Sequence, residues 1–379
     1  MRLLFVVQGQ SEQDQIGYTA AARQLLAEGS LDNLRFFFPL REYSQSNSWK
    51  DVWTALIEEA KAIQPTCIFF QFFTYKPLCI DSLIAGLKAL RPNPTIITSF
   101  GDAFSGGLLT PHPPFSYLEL SRFSDINFQT TMGHCATYLR NRGSKALVFC
   151  PHGFCQKRFL PKINPAPNSK LFDVSFVGRR STSKNPFSIF FKYGHMRQDL
   201  VLLLQKEFSA RFGLYGQRWE GYSSWQGPVA YDDQMTAIWK SRLSFGGYPG
   251  SMELLYQSDR PWITLLSGVP FIDWNVPGLS WMLQNGDDWY PVSTPSQMIN
   301  QIKLLLSQDQ KLLQEKAHLA AMRAASRHSQ YHRMRFMVRT ASLHWKAKDS
   351  RKTLPLPPFD FFLPEVDIQK ILPQILVGW

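Results

Sequence analysis

The chain has 379 residues, enough for about two domains at the usual ~100–200 residues each. Hydrophobic residues make up 44% and charged ones 18%, which excludes a disordered or collagen-like chain. The formal charge of +12 favours anionic partners, phosphorylated small molecules, anionic lipid surfaces or nucleic acid, and the scatter of Lys and Arg along the chain makes nucleic acid the least favoured of the three without excluding it.

The first half alternates between apolar runs and amphipathic stretches. Strands are expected at Leu3–Val7, Leu34–Pro39, Cys67–Phe73, Thr95–Phe100, Ile126–Thr130 and Ala146–Cys150, each a short continuous apolar run of the kind buried on both faces. Helices are expected between them at Gly17–Leu26, Asp51–Ile63, Ile80–Leu90 and Gly133–Arg142. The stretch Pro161–Lys170 is rich in Pro and Asn without periodicity and reads as a linker. Alternation then resumes, with strands at Phe172–Gly178, Phe212–Gly216, Pro228–Tyr231, Arg242–Gly247 and Val269–Asp273. Helices follow at Met196–Phe208, Asp232–Trp239, Pro261–Leu266, Pro295–Leu306 and Asp309–Arg327. Strand–helix alternation on this scale implies parallel sheets covered on both faces. The expected organisation is an N-terminal unit (1–165), a second α/β unit (171–335) and a helix with a Pro-rich tail (336–379) packing on the body.

Cys67, Cys79, Cys135, Cys150 and Cys155 form no CxxC pair and are expected as buried thiols in a reducing compartment, with no zinc site. The opening MRLLFVVQGQ is too short for a signal segment, and no run approaches the ~18 apolar residues of a spanning helix. The expectation is a cytoplasmic protein, with room for peripheral contact with the inner membrane face.

In open parallel sheets ligands bind beyond the carboxyl ends of the strands, so the residues just after each strand carry the functional argument. Gly17 opens the first helix, whose N–H groups can meet an anion. Gly101-Asp102 follows the fourth strand, and Pro151-His152-Gly153 the sixth. Asp102 either orients a hydroxyl or caps a turn; His152 suits proton transfer or simply bonds the nearby backbone. In the second unit Gly178-Arg179-Arg180 closes a strand, with Lys184 shortly after. Such a glycine allows close backbone approach, and basic groups pair with phosphate oxygens. Gly216 and Trp219 close another strand, where an aromatic can hold a flat base or pack in the core. Ser258-Asp259-Arg260 precedes Pro261, a cap and first turn with an Arg beside them.

The order DVSFVGRR, LYGQRW, GPVAY, SDRPWITLLSGVPFID, NGDDWYPVSTPSQMINQI and HSQYHR resembles the C-terminal half of GT-B glycosyltransferases, in particular the CgeB-like "glycosyl transferases group 1" set. MRLLFVV and FCPHGFCQKRFLP fit the N-terminal half, so the likeness runs to about Met337. It implies two Rossmann-like domains facing across a cleft and transfer of a sugar from a nucleotide-sugar donor to a hydroxyl of an unknown glycan, lipid-linked or protein acceptor. No cofactor or metal is implied, the nucleotide-sugar being a co-substrate. Gly17, Gly178, Arg179, Lys184, Gly216, Trp219, Ser258, Arg260 and Gly268 would hold the donor; Asp102 and His152 would lie on the acceptor side. One position departs. Where the family pattern carries a Glu two residues after Pro261, this chain has Ile263, so either Glu253 or Asp259 substitutes or the scaffold binds without turnover.

Overall fold

The computed structural model describes the chain apart from residues 72–79, 102–112, 114, 162–169, 182, 184, 188, 247–252 and 349–353. In the first half the elements run β1 (Arg2–Val6), α1 (Ile16–Ala27), β2 (Asn33–Phe37), α2 (Pro39–Ser46), α3 (Trp49–Ile63), β3 (Cys67–Gln71), α4 (Ile80–Ala89), β4 (Thr95–Phe100), α5 (Phe115–Phe123), β5 (Ile126–Gln129), α6 (His134–Asn141) and β6 (Ala146–Phe149). Every residue of Leu3–Val6, Cys67–Phe70 and Ala146–Phe149 is buried, as a strand covered on both faces requires. These strands pair in parallel in the order β2-β1-β3-β4-β5-β6, with Leu3 beside Cys67 and Cys67 beside Thr95. The helices between them start where the sequence supplies caps: the Ser48 hydroxyl accepts from Asp51 N–H at the head of α3.

The second half runs β7 (Phe172–Val177), α7 (Ile189–Phe208), β8 (Phe212–Tyr215), α8 (Gln234–Trp239), β9 (Ser241–Phe245), α9 (Arg260–Leu266), β10 (Phe271–Trp274), β11 (Tyr290–Val292), α10 (Pro295–Ser307) and α11 (Gln310–Arg327). Its parallel sheet has the order β8-β7-β9-β10-β11. Thr294 and Asp309 cap α10 and α11. The chain then returns: α12 (Gln330–Ala347), capped by Ser329, packs against α1, β3 and β4 of the first half. After α13 (Ile368–Ile375), β12 (Leu376–Val377) adds an antiparallel edge to the first sheet, Leu376 pairing with Val148. Phe359, Phe361 and Phe362 of the Pro-rich segment are buried, ringed by Phe149 and Phe336 at centroid distances of 5.1–6.0 Å.

The α/β architecture expected from the sequence, two Rossmann-like parallel-sheet halves, is the one observed. In both halves the strand order reverses at one place, between β1 and β3 and between β7 and β9, and such switch points are where α/β sheets receive ligands. One expected strand is absent. Pro228–Tyr231 is an extended connection leading into a short 3-10 turn at Tyr231–Asp233. Its backbone pairs with no strand, since Pro228 has no N–H to donate and the segment alternates around the surface. Cys67, Cys135, Cys150 and Cys155 are buried free thiols, and burial pushes Cys135 and Cys150 up to about 12; Cys79 lies outside the described residues.

Candidate functional site

At the strand ends of the first half the chain forms a hollow of about 240 Å3. Gln8 follows β1, Gln71 ends β3, Ser99 and Gly101 close β4, Thr130 follows β5 and His152 follows β6. His152 Nε2 lies 2.6 Å from the Gly101 carbonyl. A carbonyl only accepts, so Nε2 carries the proton and the lone pair is on Nδ1. The turn holding His152 is fastened from behind. Arg333, fully buried on α12, donates from Nε to Pro151 O (3.0 Å) and His152 O (3.4 Å), and from Nη1 to Arg327 O (3.0 Å). Its Nη2 lies 2.7 Å from His328 Nδ1, which must therefore be the unprotonated ring nitrogen. Burial, with Arg333 next to it, holds His328 well below the usual histidine range.

The second half touches this turn directly. Trp262 of α9 donates from Nε1 to His152 O (2.8 Å), and its ring lies flat on His328 at 3.8 Å. The two halves meet again at Glu253, whose carboxylate accepts from the backbone N–H groups of His134 and Cys135 at the start of α6. Gly133 makes room for it; a Cβ there would stand 2.6 Å from Glu253 Oε2. Burial raises the Glu253 carboxyl despite those bonds.

At the strand ends of the second half the character changes to charge. Gly178 follows β7, and its carbonyl accepts from Trp219 Nε1 at 2.7 Å. Gly216 (φ +125°) lies so close that a Cβ would sit 2.3 Å from Gly178 O, so only glycine fits. Arg197, near the middle of α7, donates from Nη1 to the Arg179 carbonyl (3.1 Å). Burial, and then the neighbouring cation Arg260, lowers the Arg197 guanidinium to about 10. Arg260 itself is half-buried, 6.0 Å over the Phe176 ring, and its Nε is out of water with no partner among the described residues. The carboxylate in the field of Arg260 is Asp273, at the end of β10. Burial pushes it up to about 7, against the pull of Trp274 N–H and Arg260. Gly246 presses on it; a Cβ there would be 2.0 Å from Asp273 Oδ1. Arg260 thus lies between a second guanidinium, Arg197, and a carboxylate that is only partly ionised at neutral pH.

The residues singled out from the sequence separate into groups. Of Arg179 only the backbone carbonyl meets Arg197, the neighbour of Arg260, and the residue itself is exposed; the expected helix start at Met196 hid Arg197 as a polar first turn. The Ser258 hydroxyl accepts from Arg260 N–H (3.3 Å), holding the entry to α9. With seven residues, α9 is too short for its backbone to act as an anion seat, and the charge comes from the side chains. Trp219 is wholly buried and offers no face to a base; it fixes the Gly178 carbonyl instead. Gly268 (φ +66°) ends α9 in a left-handed turn, at the opposite end from Arg260. Gly17 belongs to the first-half hollows, where a Cβ would stand 1.8 Å from Gln330 Oε1. Asp102 and Lys184 lie outside the described residues. Ile263 is fully buried in the core. Of its possible substitutes, Glu253 is engaged on α6 and Asp259 accepts from the Tyr231 hydroxyl. Among the described residues no three His, Cys, Asp or Glu side chains converge as a metal site, and no helix is long and apolar enough to cross a membrane.

Two Rossmann-like halves with facing strand ends define the GT-B architecture, and comparison with solved structures bears this out. The chain superposes on Anabaena HepE in complex with UDP and glucose, with a TM-score of 0.57 at 13% identity over 90% of this chain and 99% of that one. A glycosyltransferase from Rickettsia africae gives 0.60 at 12% over 92% and 99%. Sucrose-phosphate synthase from Thermosynechococcus elongatus gives 0.56 at 14% over 92% and 100%. Identities this low speak for the fold alone. Within the chain, residues 197–339 match the family model described as glycosyl transferase-like, a segment that begins at Arg197 and holds Arg260 and Asp273. A search of curated proteins found no match.

Proposed function

We propose that this protein transfers a sugar from a nucleoside-diphosphate sugar, seated over the strand ends of the second half, to an acceptor hydroxyl in the first-half hollow. The observation that carries this reading is the pairing of Arg197 and Arg260. Two neighbouring cations in a half-buried place, one of them beside a partly protonated carboxylate, are stabilised by an arriving diphosphate. The solved relatives that contain UDP or UDP-glucose support the same donor class. The sequence order around SDRPW assigns the chain to the CgeB-like branch.

In the reaction the acceptor oxygen bonds to the anomeric carbon as the bond from that carbon to the phosphate oxygen breaks. Charge developing on the departing diphosphate is met by Arg260 and Arg197. His152 Nδ1, the free lone pair of the acceptor side, takes the hydroxyl proton. With no carboxylate at position 263, Asp273, the acidic group beside Arg260, is the one left to accept from a donor hydroxyl. The cationic pair supplies the counter-charge, so transfer is expected to survive EDTA.

The test is calorimetric titration with UDP, GDP, ADP and dTDP, followed by donor-hydrolysis assays with the matching glucose esters. One nucleoside diphosphate should bind, and His152→Ala should keep that binding while losing turnover. Failure of every nucleoside diphosphate to bind would overturn the reading. Binding with no turnover of any donor would favour the alternative, a scaffold that holds the nucleotide without transfer, which Ile263 motivates.

A further inference from the structure

The first-half hollow does not end at its inner wall. A second hollow of about 260 Å3 opens beside it, bounded by Gly17, Cys155, Arg158 and Tyr231, and Gln15 and Gln330 belong to both. Each is smaller than the ~300–1,000 Å3 typical of a pocket for a drug-sized ligand, so each takes one small ring.

The inner hollow is polar without being charged. Among the described residues no Lys, Arg, Asp or Glu lines it. Its buried titratable groups are held neutral, Tyr18 pushed up by burial and Cys150 up to about 12. Arg333 lies behind it, with its donors already given to carbonyls and to His328. What faces the space is unspent hydrogen-bonding capacity. Among the described residues, the side-chain amides of Gln8 and Gln330, the Ser99 hydroxyl and His152 Nδ1 have no partner. An amide and a hydroxyl each both donate and accept, which matches a ligand made of hydroxyls. A phosphate or carboxylate here would lose its hydration with no counter-ion to replace it.

The outer hollow has charges that are already matched. Arg158 pairs with Asp232 at 2.8 Å, and the Asp14 carboxylate accepts from the N–H groups of Gln10 (2.7 Å) and Ser11 (3.0 Å). The Tyr231 hydroxyl donates to Asp259 and its ring packs against Phe159 and Arg158, which leaves the residue 39% exposed as an amphipathic platform.

We propose that the acceptor is an uncharged carbohydrate of at least two units, its reacting ring beside His152 and its next unit over Tyr231, the junction passing Gln15 and Gln330. This rests on the transfer reading for which ring reacts, while the binding it describes is measurable without turnover. Gly17 then has its reason: any side chain there would push Gln330 off the junction.

The experiment uses the whole chain and saturation-transfer NMR with glucose, galactose and mannose, and with maltose, cellobiose and lactose. Glucuronate and vesicles containing undecaprenyl phosphate are the charged probes. At least one neutral disaccharide should bind about tenfold or more tighter than its monosaccharide. Tyr231→Ala should erase that advantage and leave monosaccharide binding alone. Gln330→Ala should weaken both by about 3–10-fold, the worth of one hydrogen bond. Thermal melts confirm that the variants fold. Equal binding of single and double rings, or preference for glucuronate or the lipid phosphate, overturns the proposal. If UDP or another nucleoside diphosphate binds and no neutral saccharide does, the proposal falls and the transfer reading stands. If a disaccharide binds and no nucleoside diphosphate does, the transfer reading falls and the saccharide site stands.

Discussion

The two halves of this molecule share one topology and are finished in opposite ways at the strand ends. The first half surrounds its hollow with amides, hydroxyls and titratable groups that burial keeps neutral, and it hides its one deep cation, Arg333, behind carbonyls. The second half leaves two guanidiniums close together and compresses a carboxylate against Gly246. A parallel sheet with a switch point provides a place for a ligand, and the residues just past the strands decide its charge.

The largest effect expected from disturbing this contrast is at Asp273. Its carboxyl is raised from 3.8 to about 7 in the folded protein, so the folded state binds the proton more tightly than the unfolded one. Stability should therefore fall as pH rises from about 4 to about 7, by up to about 4 kcal/mol. Asp273→Asn should flatten that slope in urea melts across the range; an unchanged slope would mean the carboxylate is not buried as described. Arg333→Leu comes next. It strands the carbonyls of Pro151 and Arg327, His152 O keeping Trp262, at ~1–3 kcal/mol each when buried without a partner, so the unfolding free energy from urea melts should drop by about 3 kcal/mol or more. A loss no larger than that of a surface substitution would deny the neutral hollow its support.

Arg260→Ala should weaken nucleoside diphosphate binding by about 1.5–3 kcal/mol in calorimetry, with the melting temperature little changed, because the side chain spends no hydrogen bond on the fold. Smallest is Trp262→Phe, which keeps a ring against His328 and removes the bond to His152 O, for about 1 kcal/mol of stability. Histidine NMR should then show the His152 ring signals shifted, with those of His318, on α11, unmoved.

The alternation of strands and helices was legible because parallel strands buried on both faces read as unbroken apolar runs, as at Leu3–Val6 and Cys67–Phe70. The short strand β11 and the edge strand β12 were not, having three and two residues and little pattern. The helix expected within 336–379 begins earlier, as α12 at Gln330, and its first turns escaped because buried Arg333 breaks the apolar stripe. In the site, Arg260 and Arg179 were visible as basic residues at strand and helix ends. Arg197 was not, since nothing local marks one arginine of a helix as the neighbour of another sixty residues on. Trp219 was ambiguous for a similar reason: a tryptophan after a strand looks alike whether it faces a cleft or the core. The amides of the first half carry no sequence signal at all, because only folding gathers Gln8, Gln15, Gln71 and Gln330.

The chain passes between the halves once after β6 and again between α11 and α12, and the two passages are stitched together. Phe154 N–H donates to His328 O and Gln330 N–H to Phe154 O, with Gly153 flat against the Ser329 backbone. Together with Trp262 on His152 O and Glu253 on α6, these contacts tie the halves beside the acceptor turn, so any swing of one half over the other must turn about them and leave the histidine nearly still.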